Sequence, residues 1–388
     1  MKRNIFNARI LPLIAIIIVA LCGGSVMKNL SSPPTDIDTE LSQPTPDITP
    51  ELTPEPTPEI TPEPTPEPTP EPTPEPEYFT LTFVGDCTFA SVPAYVGTPQ
   101  GYDTVIKNEG FAYPFAQTLS YFTDDDFTFT NLECTLTDTA KPRTDKTFTC
   151  VGKPDLVNIL VEGDVEFVTL ANNHVLDCGE QGYADTKAAL DDVNIGYAGR
   201  DEYAIYETES GLKIGVYGVS FGTVEQIKAG IAALKELGAE FIIAALHWGD
   251  EGSYQVNRDQ MTQGRAAIDA GADFVYGSHP HTLQPFEEYN GKYIYYSFGN
   301  WSFGGNTNPR DKDTFILRMT VERNSNGEVS VIDREHIPCA SSGVVNGNNY
   351  QPVPYEEGCE EYDRTLSKLD GTFTGQNLSI GYEYGPNE

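Results

Sequence analysis

Apolar positions along the chain group into short runs from Tyr78 onward, and these runs predict buried β-strands. The runs are YFTLTFV (78–84), FTFTN (127–131), VEFVTLA (165–171), LKIGVYGVS (212–220), EFIIAAL (240–246) and DFVYG (273–277). Segments with a helical pattern separate them, at 154–163, 180–193, 223–237 and 257–271. Strands that alternate with helices are typical of an α/β layered fold with a buried sheet.

Two later segments predict β-hairpins, because each carries an Asn-Gly pair between strand-like runs. The turns fall at Asn290-Gly291 and Asn326-Gly327. We expect these hairpins to form a second sheet that is rich in antiparallel pairs. The predicted folded domain spans 78–338, and the extension 339–388, rich in Gly, Asn and Glu, is left without an assigned structure.

The N-terminus has the layout of a targeting segment. Three basic residues precede an apolar run from Ile10 to Met27, as in a secretory signal or a signal anchor. We expect residues 1–30 to form an uncleaved single-pass anchor in the cell membrane, with the remainder on the cell-wall side. Lipidation of Cys22 and a cleaved signal are the alternatives.

A low-complexity stretch of Pro, Glu and Thr follows the anchor, over residues 31–77. It has almost no large apolar side chains, so it cannot build a core, and its prolines favour extended polyproline II. At about 3.1 Å per residue it would reach roughly 140 Å when fully extended. We therefore expect a disordered stalk between the anchor and the domain.

The charge balance limits the classes of partner that the chain can bind. The 388 residues carry a formal net charge of -34, and the part from Tyr78 onward, with 46 acidic and 20 basic residues, still has a net charge of -26. Nucleic acids and anionic membrane surfaces need a basic footprint that this chain lacks. We therefore expect no nucleic-acid partner.

Side chains that bind metals follow directly after the apolar strands. They are Asp86, Asn131, Glu133, Asn173, His174, His247, His279 and His281. The carboxyl ends of strands in α/β sheets open onto one edge, so we expect these groups to converge there. Carboxylate, amide and imidazole ligands suit Mn, Zn or Fe better than Ca or Mg. The fifth histidine, His336, lies in the last hairpin and is predicted to be structural.

A cluster of this kind would hold one or two divalent ions that activate a water molecule. A histidine beside a metal-binding asparagine is suited to protonate a leaving oxygen, so His174 is the predicted catalytic acid. Further polar and aromatic residues near these motifs are candidates for substrate binding, namely Asn131, Trp248, Glu251 and Asn300. Burial in the core is an equal alternative for Trp248 and Trp301.

Six cysteines besides Cys22 lie in the part predicted to be exported, where disulfides can form. Six cysteines allow 15 pairings. The pairing that we favour joins Cys87 to Cys178, Cys134 to Cys150 and Cys339 to Cys359. Free buried thiols are the alternative.

Taken in order, the motifs Gly-Asp, Asn-Leu-Glu, Asn-Asn-His, His-Trp-Gly-x-Glu and His-Pro-His resemble those of the CapA-type poly-γ-glutamate capsule-synthesis family, which is similar to the calcineurin-like metallophosphoesterases. The resemblance covers about residues 79–305. It implies a four-layer α/β/β/α sandwich displayed outside the cell. The metal ligands that it implies are Asp86, Glu133, Asn173, His247, His279 and His281, with His174 as the acid.

One departure concerns the first motif. Metallophosphoesterases usually begin with Asp-x-His, whereas Asp86 is followed here by Cys87 and Thr88. The first metal position therefore lacks an imidazole that the phosphoesterases have.

Three functions remain open at this point. The domain could be a metal-dependent hydrolase acting on poly-γ-glutamate or a related anionic polymer, or a non-catalytic accessory of a membrane-embedded capsule synthase and exporter. It could also be a surface phosphoesterase unrelated to capsule. The strand-end ligands favour the hydrolase.

Overall fold

The computed structural model of the chain describes residues 74–378. The predicted anchor, with Cys22, and the stalk up to residue 73 lie outside these residues. No helix within 74–378 is long and apolar enough to cross a membrane.

The strands of the described residues are β1 (Glu77–Thr88), β2 (Phe127–Leu132), β3 (Thr135–Leu136), β4 (Val151–Gly152), β5 (Phe167–Thr169), β6 (Gly196–Ala198), β7 (Glu202–Glu207), β8 (Lys213–Ser220), β9 (Phe241–His247), β10 (Phe274–Ser278), β11 (Leu283–Tyr289), β12 (Lys292–Phe298), β13 (Asn300–Phe303), β14 (Asp313–Arg323), β15 (Val329–Ala340) and β16 (Val353–Pro354). The α-helices of this part are α1 (Tyr102–Glu109), α2 (Asn158–Glu162), α3 (Gly179–Asp192), α4 (Val224–Glu236), α5 (Arg258–Ala270) and α6 (Glu360–Leu369). Short 3₁₀ helices lie at Pro93–Tyr95, Tyr113–Phe115, Leu119–Tyr121 and Pro154–Val157.

Within residues 74–378, the strands form two large mixed sheets and a small one made of β3 and β4. The first sheet has the order β16-β15-β14-β1-β2-β5-β6, with β13 also paired to β1. The second has the order β11-β12-β10-β9-β8-β7. In the first sheet β1, β2, β5 and β6 are parallel up to one edge, and the antiparallel strands β14, β15 and β16 extend the other side. In the second sheet β8, β9, β10 and β12 are parallel, and antiparallel strands extend both edges.

The two predicted hairpins form as β11-β12 and β14-β15, but they do not build a sheet of their own. The first hairpin extends the second sheet and the other extends the first sheet. The expectation of a separate antiparallel-rich sheet was therefore wrong. Each hairpin pairs with a strand of an existing sheet, and its apolar residues thereby enter the core between the two sheets. The hairpins therefore extend these sheets instead of pairing with each other.

Alternation along the strands explains how the layers pack. In β9, Phe241, Ile243 and Ala245 enter the core between the two sheets, while Ile242 and Ala244 face the helices outside. Successive side chains of a strand point to opposite faces. Because both faces are covered, the strand is apolar throughout instead of alternating with polar residues.

Three apolar clusters in the described residues account for four layers. The central cluster joins residues of both sheets, including Phe83 and Phe129 from the first and Phe274 from the second. A second cluster packs α2 and α3 on the outside of the first sheet, and a third packs α4 and α5 on the outside of the second. The α/β class and the four-layer α/β/β/α sandwich are thereby confirmed.

The helices that cover the second sheet begin where their sequence provides caps. Thr223 and Asn257 each accept a hydrogen bond from the backbone N–H of the residue three positions later. The side chains of Gln226 and Gln260 in turn accept one from the backbone N–H of the cap residue. These capping boxes satisfy N–H groups that a helix start would leave unpaired. They place α4 and α5 within one residue of the predicted segments 223–237 and 257–271.

The C-terminal extension contributes to the fold through α6. Asp313 at the start of β14 is fully buried, and it accepts hydrogen bonds from Arg364 at 2.7 Å and from Lys368 at 2.8 Å, both on α6. The apolar side of α6 contributes Leu369 to the core between the sheets. Residues 360–369, unassigned from the sequence, therefore close one end of that core.

The six cysteines of the described residues are all free thiols. The three proposed disulfides are therefore wrong in this structure, and the alternative of free thiols holds. Cys339 is buried in the cluster outside the first sheet, whereas Cys359 caps the start of α6 through its Sγ atom. Burial in apolar surroundings raises the pKa of Cys87 to about 12, which keeps that thiol protonated.

Candidate metal centre

Both sheets present the carboxyl ends of their parallel strands at one edge, and the predicted residues meet there. In the first sheet, Asp86 lies near the end of β1 and Asn131 near the end of β2. In the second sheet, β9 ends at His247 and β10 leads directly to His279. The site thus draws its side chains from both sheets, which is why they are far apart in the sequence.

A glycine allows the two sheets to approach at this edge. A Cβ atom on Gly85 would lie 2.2 Å from the carbonyl oxygen of Gly299. The backbone N–H of Asp86 donates to that same carbonyl at 2.8 Å. Only glycine fits before Asp86, so the Gly-Asp motif has a packing reason as well as a chemical one.

Two buried carboxylates form the acidic part of the site. Asp86 is 1% exposed and Glu133 is 0% exposed. The Nδ2 atom of Asn131 donates to Oδ1 of Asp86 at 2.9 Å and to Oε2 of Glu133 at 3.3 Å, and its Oδ1 atom accepts from Asn172 at 3.0 Å. Asn131 therefore holds the two carboxylates in place from behind.

His281 faces both carboxylates with different ring nitrogens. Its Nδ1 atom lies 2.9 Å from Oδ1 of Asn300 and 3.3 Å from Oδ2 of Asp86, so Nδ1 carries the proton. Its Nε2 atom lies 3.8 Å from Oε1 of Glu133. An imidazole with one N–H held by an acceptor presents the other nitrogen to a metal, which is the usual arrangement of a metal-binding histidine.

His247 brings the second sheet against the first. Its Nε2 atom lies 3.0 Å from Oδ1 of Asn173 and 3.6 Å from Oε1 of Glu133, and its Nδ1 atom lies 2.9 Å from the hydroxyl of Ser278. Imidazole, amide and carboxylate atoms thus converge on one point. Ser278 holds the opposite side of the ring.

The His-Pro-His segment has unusual backbone geometry. His279 has a φ of 98° and His281 a φ of 57°. Non-glycine residues rarely adopt positive φ, and such strain is concentrated at functional sites. The conformation turns both imidazoles toward the same cluster, with ring centroids 6.0 Å apart.

Two atoms of this cluster lack hydrogen-bond partners among the described residues. They are Oε1 of Glu133 and Nδ1 of His279, and both are buried. Glu133, His279 and His281 can each offer one ligand atom such that these atoms lie within 4.8 Å of one another. Buried polar atoms without partners are rare, and a carboxylate with imidazoles is a common donor set for transition metals. The residues present therefore fit a divalent cation.

The electrostatics distinguish the imidazoles of this cluster: His281 holds its proton while no ion is bound, so an ion would displace that proton on binding. Burial raises the pKa of Glu133 well above its ordinary value, against the lowering effect of the His281 charge. Burial alone would lower the pKa of His281, but Glu133 and Asp86 outweigh it and raise the value to about 10. Burial, followed by the charge of His281, lowers the pKa of His279 to about 3. His279 thus keeps the lone pair that metal binding requires at neutral pH.

His174 lies beside this cluster and is oriented by a carboxylate. Its Nδ1 atom lies 2.7 Å from Oδ2 of Asp177, which also accepts from the backbone N–H of Cys150 at 2.6 Å. Because a carboxylate only accepts, Nδ1 of His174 carries the proton and Nε2 is left for other contacts. The residue before it, Asn173, lies 3.0 Å from Nε2 of His247 through its Oδ1 atom, which places His174 beside the cluster.

One protein family matches the part of the chain that contains this cluster. The model of the family described as "Bacterial capsule synthesis protein PGA_cap" matches residues 80–304, more than half of the 388 residues. The chain belongs to this family. The matched segment contains every strand end that contributes to the cluster.

Two relatives of this chain come from Bacillus. The chain is 25% identical over 289 residues to the "Capsule biosynthesis protein CapA" of Bacillus anthracis, a match that covers 66% of this chain and 67% of the relative. It is 28% identical over 283 residues to the "PGA biosynthesis protein CapA" of Bacillus subtilis (strain 168), covering 66% and 72% of the two chains. Among solved structures, Haemophilus influenzae NAD nucleotidase (NadN) is similar with 14% identity and a TM-score of 0.41, over 76% of this chain and 63% of that one.

The residues predicted to bind substrate do not line an open groove in the structure. Trp248 is 3% exposed, donates from Nε1 to the carbonyl of Tyr296 at 2.9 Å and packs under the helices. It is a core residue, and so is the fully buried Trp301. Asn131 and Asn300 hold metal-site side chains, as described above, and do not face an open groove. Glu251 is partly exposed, and its charge acts on Glu133.

A second group of possible ligands contains Cys150, His174 and Asp177. Lys146 already neutralises this group, because its Nζ atom lies 2.7 Å from Oδ1 of Asp177. Burial raises the pKa of Cys150 well above its ordinary value, which disfavours the thiolate that binds metals. We therefore infer that this group orients His174 and does not bind a metal ion.

Sequence reasoning missed four residues at the site, namely Lys146, Asp177, Phe221 and Ser278. Asp177 could have been found, because it follows His174 by three residues in a turn and short-range pairs of this kind are common. Ser278 precedes the His-Pro-His motif directly. Lys146 and Phe221 lie on loops that only the folded chain brings to the cluster, so no local signal identified them.

Proposed function

We propose that this protein is a metal-dependent hydrolase that acts on poly-γ-glutamate during capsule synthesis. The observation that carries the proposal is the pair of unpartnered buried atoms, Oε1 of Glu133 and Nδ1 of His279, next to the oriented imidazole of His174. The two Bacillus relatives, whose names refer to capsule and PGA biosynthesis, support the choice of polymer.

Mn, Zn or Fe suits the donor set of the cluster, and one or two ions are compatible with the proposal. Glu133, His279 and His281 would hold an ion, with Asp86, Asn173 and His247 as the remaining ligands. When bound, the ion supplies Lewis acidity and a water molecule of lowered pKa. Asn131 orients Asp86 and Glu133, and Asn300 orients His281, so these side chains would face the ion.

His174 transfers the proton in this proposal. Asp177 fixes its Nδ1–H, so the Nε2 atom is the one that exchanges a proton with the substrate. Asp177 also stabilises the imidazolium that forms when Nε2 is protonated, as a buried carboxylate does in other catalytic pairs. Burial lowers the pKa of His174 while Asp177 raises it, which leaves the ring titrating below its ordinary range.

An accessory role without catalysis is the second candidate. The names of both Bacillus relatives refer to biosynthesis and not to hydrolysis. In that case the same cluster would hold an ion and bind the polymer for membrane-embedded synthase subunits. The proposal also includes display outside the cell membrane on the N-terminal anchor, which rests on the apolar run from Ile10 to Met27.

The replacement His174→Asn tests the catalytic proposal. We expect hydrolysis of poly-γ-glutamate to fall by about 10²- to 10⁴-fold, the usual contribution of one acid-base group. Metal content and thermal stability should be retained, because Asp177 keeps its bonds from Lys146 and Cys150. His336→Asn is the matched control, since that histidine is remote from the cluster and bonds Tyr295.

Elemental analysis, thermal unfolding and release of free chain ends are measured on all three proteins. Equal hydrolysis by wild type and His174→Asn would contradict the catalytic role. Absence of hydrolysis by the metal-loaded wild type, with capsule formation still dependent on Glu133, would favour the accessory role.

A further inference from the structure

An exposed aromatic ring stands over the imidazoles of the metal cluster. Phe221 is 57% exposed, yet its ring lies edge-on to His279 at a centroid distance of 4.9 Å and to His247 at 6.1 Å. Its backbone N–H donates to the carbonyl of His247 at 2.9 Å. The backbone is therefore fixed to the end of β9, while most of the ring faces solvent.

The conformation of Phe221 is strained. Its φ is 47°, in the left-handed region, which a non-glycine residue adopts only at a cost in free energy. A large exposed apolar side chain recovers little of this cost by burial within the chain. Strain of this kind with no folding benefit is typical of residues that contact a ligand.

A cation also contacts residues beside the same cluster. Nζ of Lys146 donates to the carbonyl of Asn173 at 2.8 Å and to Asp177 at 2.7 Å. Its third contact, with Nδ1 of His174 at 3.2 Å, joins two donors and is not a hydrogen bond. Among the described residues, one N–H of Lys146 therefore has no acceptor, and its side chain is 26% exposed.

Phe221 and Lys146 flank the cluster through a continuous series of contacts. The ring of Phe221 touches His247, His247 bonds Asn173 at 3.0 Å, and the carbonyl of Asn173 accepts from Lys146. A chain bound at the cluster would thus have an apolar ring and an ammonium within reach of it. The domain otherwise carries a net charge of -26 from Tyr78 onward, so this ammonium is a local exception.

We propose that Phe221 and Lys146 form a recognition subsite for a γ-linked glutamyl chain. Each γ-linked unit places two methylenes in the backbone next to a carboxylate attached directly to it. Phe221 covers the methylenes and Lys146 binds the carboxylate. An α-linked glutamyl chain has only peptide units in its backbone, and a phosphodiester has no apolar stretch that matches. The proposal rests on the proposed function and names residues that select its substrate.

Binding is measured by fluorescence anisotropy with short labelled glutamyl oligomers, γ-linked and α-linked, in the presence of manganese. All proteins carry His174→Asn, so that binding is measured independently of cleavage. We expect Phe221→Gly to weaken binding of the γ-linked oligomer about tenfold, the effect of losing one aromatic anchor. Its melting temperature should not fall, because glycine adopts positive φ without strain. Phe221→Tyr should retain binding.

Lys146→Met should weaken binding of both oligomers, because each carries carboxylates. The matched control is Tyr78→Ala, since Tyr78 is 58% exposed and lies at the opposite end of β1 from Asp86. Unchanged affinity in Phe221→Gly, or a large loss of thermal stability in that variant, would overturn the role of Phe221. A single-stranded oligodeoxynucleotide that binds more tightly than the γ-linked oligomer would overturn the substrate class. Failure of the parent protein to bind either oligomer would overturn the proposed function together with the subsite.

Discussion

The replacement Glu133→Gln tests the metal centre most directly. Oε1 of Glu133 lies 3.6 Å from Nε2 of His247 and 3.8 Å from Nε2 of His281, and it has no hydrogen-bond partner among the described residues. Glutamine keeps the volume of the side chain but removes one of the two buried negative charges. We therefore expect the variant to fold and to bind a divalent ion more weakly.

The size of the effect follows from linkage. An ion present at 1,000 times its Kd stabilises the folded state by about 4.1 kcal/mol. Loss of one supporting group typically weakens metal binding about 10- to 100-fold, which corresponds to about 1.4–2.7 kcal/mol. With an unfolding entropy of about 2.1 cal/mol/K per residue over roughly 300 residues, each kcal/mol is worth about 1.6 °C. The metal-induced rise in melting temperature should therefore fall from about 6.5 °C to about 2–4 °C.

Calorimetry of the metal-stripped protein, with and without added manganese or zinc, measures this rise. Glu166→Gln is the matched control. Burial also raises the pKa of Glu166 well above its ordinary value, but this residue precedes β5 at the opposite end of the sheet, where its Oε2 accepts from Thr128 at 2.7 Å. The control should keep the full metal-induced rise. An equal rise in wild type and Glu133→Gln would refute the assignment of this carboxylate to the metal centre.

Two further predictions concern the fold. Asp313→Ala should lower the free energy of unfolding by about 3 kcal/mol, measured by urea unfolding and at the lower end of the range for breaking a buried ion pair. The buried Lys368 keeps only Asp311 as its partner, and the partly exposed Arg364 loses the carboxylate that it binds; an effect no larger than that of a surface replacement would contradict the role of α6. Burial and the charge of Arg334 lower the pKa of His336 to about 4, below its unfolded value of about 6.5. The folded state therefore loses stability as the pH falls from about 6.5 to about 4, and His336→Gln should reduce that slope in the metal-stripped protein; identical slopes would contradict it.

The sequence predicted the parallel strands well because each is apolar on both faces. β9 shows why, since all of its residues from Phe241 to His247 are buried. Their ends were equally predictable, because a polar residue interrupts the apolar run at the point where the strand ends. The structure accordingly brings Asp86, Glu133 and His247 together, as expected from strand ends that share one edge.

Elements held by distant contacts were missed. α6 depends on Asp313, more than 40 positions earlier, and its sequence carries a charged surface with no core-like run. The hairpin assignment failed for a similar reason, because the turn sequence predicts a hairpin but not the sheet that it joins. For Trp248 the sequence left substrate binding and core burial equally open, because its position beside His247 does not say which face of the chain it occupies, and the structure places it in the core.

The charge of the domain determines how an anionic polymer can be held. A net charge of -26 from Tyr78 onward repels a polyanion at long range, and at physiological salt this repulsion is screened within about 8 Å. Attraction must then come from groups that touch the chain. In the binding mode that we propose, Lys146 and an ion between Glu133 and His279 would supply positive charge at short range, and Phe221 would supply apolar contact that salt does not weaken. Affinity concentrated in so few residues would make recognition local, so that a polymer would be bound at the cluster and not along the surface.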